Sequence, residues 1–269
     1  MIYEVLGSFR LAVDGECALL ESRKLEILLA TLLIRADHVV NCRSLMTELW
    51  DAEPPTRAAA GIHVNISRLR KFLKQRKWVG GQIVTRSPGY MLQLGSDEVD
   101  ARCFDEMVNA GREQLRRRDY AHASLVLRSA LDLWHGSSPF GGLQGGPILA
   151  GYTRRMEESR LECLEMMIEA DLALGRHREL VSELYALTTE HPLQETFYRQ
   201  LMLALYRSDR QADALVTFHR ARQVINANLD LEPCQALRDL HHAILMEDRR
   251  LDPLSERAGL TAAILSGTR

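Results

Sequence analysis

The chain has 269 residues, 46% of them hydrophobic and 26% charged, with a formal net charge of −2. These values are those of an ordinary globular protein, long enough for one large or two medium domains that each bury a core. No run of about 18 apolar residues is present to span a bilayer. The opening MIYEVLGSFRLAV is interrupted by Glu4 and Arg10 and has no basic region before an apolar stretch, so no secretory signal, no membrane partner and a cytoplasmic location are expected.

The near-zero total hides an asymmetry. Residues 1–95 hold 13 Lys/Arg against 9 Asp/Glu, and residues 96–269 hold 21 against 27, giving +4 and −6. The first part is therefore the candidate partner for a polyanion, and the acidic second part is freer to meet proteins. Cys17, Cys42, Cys103, Cys163 and Cys234 are widely separated, with no C-x-x-C spacing, and read as reduced structural thiols.

In chain order, EVLGSFRLAV, DGE and CALL alternate around a turn and predict a small antiparallel sheet. RKLEILLATLLIRA (23–36) carries leucines at three- and four-residue spacing and predicts a buried helix. After the extended HVVN, residues 44–50 form a short second helix, and DAEPP breaks it. Thr56 is then placed to N-cap a third helix. IVTRSPGYMLQL follows as a hairpin whose turn is Ser87-Pro88-Gly89, with proline fixing φ and glycine supplying a left-handed conformation.

Past Leu94, GSDEVD reads as a hinge, and the rest has only helical periodicity. Helices are predicted near 100–117, 119–134, 149–174, 177–190, 193–208, 210–227 and 233–247. The glycine-rich GSSPFGGLQGGP (136–147) reads as a loop inside that helical domain, its GGLQGGP a hinge rather than a phosphate-binding loop. GRHRELVSELYAL from Gly175 and DRQADALVTFHRA from Asp209 repeat at an offset of 34 residues, aligning Arg176 with Arg210 and Leu184 with Phe218. That is the tetratricopeptide period, and RDYAHASLVLRSAL from Arg118 fits the same template. Residues 249–269 lack a clear partner face and read as a mobile tail.

The third helix has two distinct faces. Ile62, Ile66, Leu69 and Leu73 fall on one stripe, the core side. Arg57, Ala60, Val64, Ser67, Arg68 and Lys71 fall opposite, and Arg68 to Lys77 holds six basic residues and no acid. Small Ala60 and Ser67 let a helix backbone enter a DNA major groove, and an outward valine such as Val64 can pack on a thymine methyl. Arg68 is the candidate for a bidentate contact to guanine, because its planar fork matches O6 and N7. His63 and Arg70 flank the face and could reach phosphates or base edges, and Lys74 extends the cationic side. At the hairpin, Arg86 is placed to enter a minor groove and Thr85 to donate to phosphate. Tyr90 reads as a packing residue that anchors the hairpin, Asn65 as a structural polar residue, and Gly61 as a local cost to the helix of about 1 kcal/mol.

Sheet, three helices and hairpin, with HVNISRLRK and TRSPGY, resemble the OmpR/PhoB-type winged helix-turn-helix. LLATLLIRADHVVNCRSLMTELWDAEPPTRAAAGIHVNISRLRKFL resembles more closely the Streptomyces antibiotic regulatory proteins. In that family a winged helix precedes a bacterial transcriptional activation domain of tetratricopeptide-like helices. VDARCFDEMV, ALDLWHG, ADLALGRHRELVSELYALTTEHPLQETFYRQLMLALYRSDRQADAL and LDLEPCQALRDLHHAIL are similar to that second domain. The resemblance covers about residues 1–248.

It implies a mainly α protein with small β-sheets: a winged helix over 1–95, then an all-α tetratricopeptide-like domain over 96–248. It further implies a transcription activator for a secondary-metabolite (antibiotic) gene cluster. Such a regulator binds promoter direct repeats in double-stranded DNA as a dimer or side-by-side pair, and recruits RNA polymerase with its sigma factor. With no G-x-x-x-x-G-K-[ST], a small stand-alone member without an ATPase module is expected.

Two other functions compete. For an enzyme, G-x-S-x-G and H-E-x-x-H are both missing, and adjacent His241 and His242 point in different directions on a helix, so neither catalytic residues nor a metal or other cofactor is expected. A tetratricopeptide adaptor that never touches DNA would use the acidic helical half, whose groove could instead hold an inducer.

Overall fold

The computed structural model describes residues 2–13, 16–20, 22–51, 53–75 and 81–251. In chain order the elements are β1 (Ile2–Glu4), β2 (Arg10–Val13), β3 (Glu16–Ala18), α1 (Arg23–Ile34), β4 (Val40–Asn41), α2 (Cys42–Trp50), α3 (Ala58–Gln75), β5 (Gln82–Arg86), β6 (Gly89–Gln93) and β7 (Glu98–Val99). Then come α4 (Asp100–Arg116), α5 (Tyr120–Asp132), α6 (Pro147–Ala173), α7 (His177–Glu190), α8 (Glu195–Tyr206), α9 (Gln211–Leu229) and α10 (Gln235–Leu245). Short 3-10 turns occupy Pro139–Gly142 and Arg249–Leu251. Among the described residues no helix is long and apolar enough to cross a membrane. The mainly helical architecture with small sheets, a winged helix followed by helical hairpins, is the one the sequence predicts.

Contacts divide the chain into two compact units: Met1–Asn109 with Ser129–Cys163, and Ala110–Arg128 with Leu164–Arg269. The first unit thus holds the winged helix together with the start of α4 and the glycine-rich segment that leads into α6.

In the first unit the N-terminal sheet has the order β3-β2-β1-β7, antiparallel except for the parallel pair β1 and β7. Its core includes Tyr3, Leu6, Leu11, Leu28, Leu29 and Leu32, all fully buried. The helix α1 is apolar on several sides because it is covered on several sides; all seven consecutive residues from Ile27 to Leu33 are buried, as is Leu25. A second sheet, β4-β6-β5, carries the wing.

GSDEVD is not a hinge. Its Glu98 and Val99 form β7, and its last residue, Asp100, opens α4 and accepts backbone N–H groups from Val5 (2.9 Å), Leu6 (3.0 Å) and Ala101 (2.7 Å). The segment 136–147 is likewise no free loop of a helical domain. Phe140 is buried, its N–H donates to the Val5 carbonyl at 2.8 Å, and its ring meets Phe9 edge-on at 5.2 Å. Gly136 lies so close to Gly7 that a Cβ would come within 2.7 Å of the Gly7 Cα. Gly146 presses on α2, where a Cβ would meet the Glu48 Cα at 2.8 Å. Buried Glu48 then accepts the N–H groups of Ile148 (2.8 Å) and Leu149 (3.2 Å), so a carboxylate caps the positive end of α6. The glycines mark close backbone approach, which sequence reads equally well as flexibility.

In the second unit α8 packs between α7 and α9, and α10 lies on α8 and α9. Three helix ends share one geometry. Arg118, Gly175 and Asp209 have φ of 59°, 81° and 62°, and the residue after each donates its N–H five residues back, Asp119 to Gln114, Arg176 to Asp171 and Arg210 to Leu205. This is the Schellman closure, and each instance stands two residues ahead of the next helix. The 34-residue offset therefore reflects a repeated helix-turn-helix stop, with Leu184 and Phe218 both buried at equivalent positions. Asp171, fully buried, joins Ser124 (2.7 Å), Arg176 (2.9 Å) and Arg128 in one network. His241 stacks on Phe218 at 3.9 Å rather than pairing with His242. The predicted tail beyond Leu251 and the Asp14-Gly15 turn lie outside the described residues.

Candidate nucleic-acid interface

The helix α3 is anchored by Ala58, Ile62, Ile66, Leu69 and Leu73, each at most 5% exposed. It starts at Ala58, so Thr56 is not its N-cap; Thr56 and Arg57 form a turn, and the Ala58 N–H donates to the Pro55 carbonyl at 2.8 Å. Two prolines ahead of the turn delay the helix, since proline disfavours α conformation in the residue before it and removes an N–H. Gly61 is where Trp50 of α2 packs: a Cβ would come within 3.2 Å of the indole ring. Its cost in helix propensity thus accompanies a tight α2–α3 contact. Asn65 donates its side-chain amide to the Gly61 carbonyl at 2.9 Å, one turn back, as a structural polar residue does.

On the other face Ala60, His63, Val64, Ser67, Arg68, Arg70, Lys71 and Lys74 are exposed. Ala60, Val64, Ser67, Lys71 and Lys74 recur at alternating four- and three-residue steps and form one stripe. Val64 is 52% exposed, a β-branched apolar residue with no core to join. Arg68 stands beside this stripe. Arg57 is exposed in the turn just before it, and no acid lies on α3. Arg76 and Lys77, which extend the basic run, lie outside the described residues.

The wing is a two-residue connection, Ser87-Pro88, through a cis peptide, with Arg86 opposite Gly89 and Thr85 opposite Tyr90. Gly89 is not left-handed. It is a strand residue, and glycine is needed because a Cβ there would fall 1.9 Å from the Val40 carbonyl oxygen as β4 crosses. That same β4 strand ends at Asn41, whose side chain caps α2 by accepting the Ser44 N–H at 2.7 Å. Arg86 is exposed at the tip.

Helix and wing are fastened by side chains that sequence reasoning placed only at the flank. Arg70 donates through Nε to the Ile83 carbonyl and through Nη2 to Thr85 Oγ1, both at 2.8 Å. Its guanidinium lies 5.7 Å from the centre of the Tyr90 ring, and the Tyr90 hydroxyl bonds His63 Nδ1. Tyr90 is 3% exposed, so it anchors the wing as predicted, and burial raises its pKa above the usual phenol value. His63 and Arg70 are seven residues apart, two turns along one face, which was the available signal that both turn toward the hairpin. Thr85 accepts from Arg70 and keeps its own proton to donate. A groove-sized cationic helix face and an arginine-tipped wing are thus held at fixed separation.

Comparison with known proteins agrees with this geometry. Residues 15–92 match the family described as transcriptional regulatory protein, C terminal, and residues 99–245 match the bacterial transcriptional activator domain. The chain is 38% identical over 261 residues to the regulatory protein AfsR of Streptomyces coelicolor, covering 97% of this chain and 26% of AfsR, so it spans about a quarter of that relative. It is 34% identical over 237 residues to the regulatory protein DnrI of Streptomyces peucetius, covering 86% of this chain and 87% of DnrI. The solved structure of Mycobacterium tuberculosis EmbR in complex with a low-affinity phosphopeptide superposes with a TM-score of 0.85 at 30% identity, over 98% of this chain and 70% of that one. The chain therefore belongs to the Streptomyces antibiotic regulatory protein family, whose members are DNA-binding transcriptional regulators, not enzymes, that join an OmpR-type winged helix to a bacterial transcriptional activator domain.

Proposed function

We propose that this regulator is an activator of a secondary-metabolite gene cluster, in which residues 1–95 read promoter DNA and residues 96–248 serve activation. The observation that carries this reading is the exposed stripe of α3 beside the wing. The side chains of Ser67, Lys71 and Lys74 in that stripe, and of Arg68 beside it, make no hydrogen bond or ion pair with the described residues, so their polar groups and charges are available to DNA. Ala60, Val64 and Ser67 face base edges, Arg68 makes the bidentate contact to guanine, and Arg57, Lys71 and Lys74 meet phosphates. Arg86 enters the adjacent minor groove, Thr85 donates to a phosphate, and Arg70 with His63 holds the wing at its spacing while remaining near the backbone. Family membership and similarity along most of DnrI support the antibiotic-pathway assignment. Two copies bind side by side on direct repeats, and RNA polymerase with its sigma factor is the partner recruited.

Nuclease protection of promoter DNA tests this arrangement. Tandem half-sites of the same orientation, one per chain, should be protected next to the polymerase site. An inverted repeat, or one isolated half-site, would contradict the side-by-side arrangement.

A further inference from the structure

The second unit contains a cavity of about 390 Å³ that the DNA-binding reading does not use. Its apolar lining comes from Leu172 and Ala173 at the end of α6, Leu203 of α8, Leu240 of α10, and Leu251. Its polar lining is biased to one charge: Arg199, Arg207 and Arg250 against the single carboxylate of Glu169, with Tyr120 and Gln200 neutral.

The arginines differ in role. Arg207 is held in place, donating from Nη1 to the Leu172 carbonyl at 3.0 Å and from Nε to the Leu251 carbonyl at 2.8 Å. Arg250 is engaged with Asp248 at 2.6 Å. Arg199 is exposed and makes no hydrogen bond or ion pair with the described residues, so its guanidinium is available to a ligand. Gln200 is 7% exposed. Its Nε2 donates to the Glu165 carbonyl at 2.8 Å, while its buried Oε1 has no donor.

A cavity of a few hundred Å³ with apolar walls and a few convergent polar groups is the usual form of a small-molecule site. We infer that this cavity binds an apolar organic acid, with its hydrocarbon body against Leu172, Leu203 and Leu240 and its carboxylate on Arg199. The fixed fork of an arginine matches a carboxylate in two-point geometry and distinguishes it from a neutral amide of the same shape. The lining shares no residue with α3 or the wing.

Isothermal titration of the full chain with naphthoic acid and with its carboxamide tests the assignment. The acid should bind at one site per chain, about tenfold or more tighter than the amide, the ratio expected from one charge-assisted contact. Arg199→Ala, an exposed change that leaves the fold intact by circular dichroism, should remove that advantage and leave the weak amide binding unchanged. Ala173→Phe, which fills the cavity, should weaken both. The inference is overturned if neither compound binds, if acid and amide bind equally to the wild type, or if a folded Arg199→Ala or Ala173→Phe variant binds the acid as the wild type does.

Discussion

Asp100→Ala is expected to lower the unfolding free energy by about 3–4 kcal/mol. The carboxylate is 7% exposed and accepts three backbone N–H groups, of Val5, Leu6 and Ala101, two of them from the opposite end of the sequence segment that forms the sheet. Alanine leaves those donors buried without partners, at about 1–3 kcal/mol each, partly offset because a buried charge is also removed. Asp100→Asn keeps one acceptor oxygen and should lose about half as much. The pH dependence has a definite sign. Burial raises the Asp100 pKa above the usual carboxylate value, and its backbone hydrogen bonds only partly counter this. The folded state then holds the proton more tightly than the unfolded one, so the wild type's advantage over Asp100→Ala is greatest at acidic pH and shrinks as pH rises through the folded value. Urea unfolding at two pH values checks both points; a difference within about 0.5 kcal/mol would mean that the carboxylate does not hold the sheet together.

Arg68→Ala should weaken binding to the specific site by about 1–3 kcal/mol and relax discrimination at one base pair. The reason is geometric. Arg68 is exposed beside the Val64 and Ser67 stripe and has no hydrogen-bond or ion-pair partner among the described residues, so its loss is felt only on DNA. Lys71→Ala, a phosphate contact, should weaken all sequences evenly and reduce the salt dependence by about one unit of slope. Arg70→Ala differs from both. It removes the two bonds to Ile83 and Thr85, loosens the wing, and should diminish the contribution of the minor-groove flank, as Arg86→Ala does, with the base preference under α3 intact. Selection from random DNA separates these patterns. Identical site preferences for wild type and Arg68→Ala would remove the base-reading role.

What the sequence disclosed and what it hid follow from distance along the chain. The Ile62, Ile66, Leu69 and Leu73 stripe is legible because helical period alone decides which residues share a face, and His177–Glu190 is predicted to the residue for the same reason. Tyr90 was legible as an anchor because a large aromatic in a strand next to a turn must be covered. Gly89, Gly136 and Gly146 were misread because their need for glycine comes from approaching backbones at Val40, Gly7 and Glu48, all remote in sequence. Asp100 and Glu48 were invisible for the same reason: their donors are 95 and 100 residues away. The His63–Tyr90–Arg70 fastening was half visible, as a shared face on α3 without its destination.

The most direct measurement of DNA recognition by this helix and wing is the affinity for promoter DNA as a function of salt. With about six phosphate contacts, the logarithm of the association constant should fall with the logarithm of salt concentration at a slope of about −5, from a strong complex at low salt. A folded protein that fails to shift promoter DNA at low salt, or whose affinity is flat across the salt range, would contradict the assignment of α3 and the wing as the DNA-reading surface.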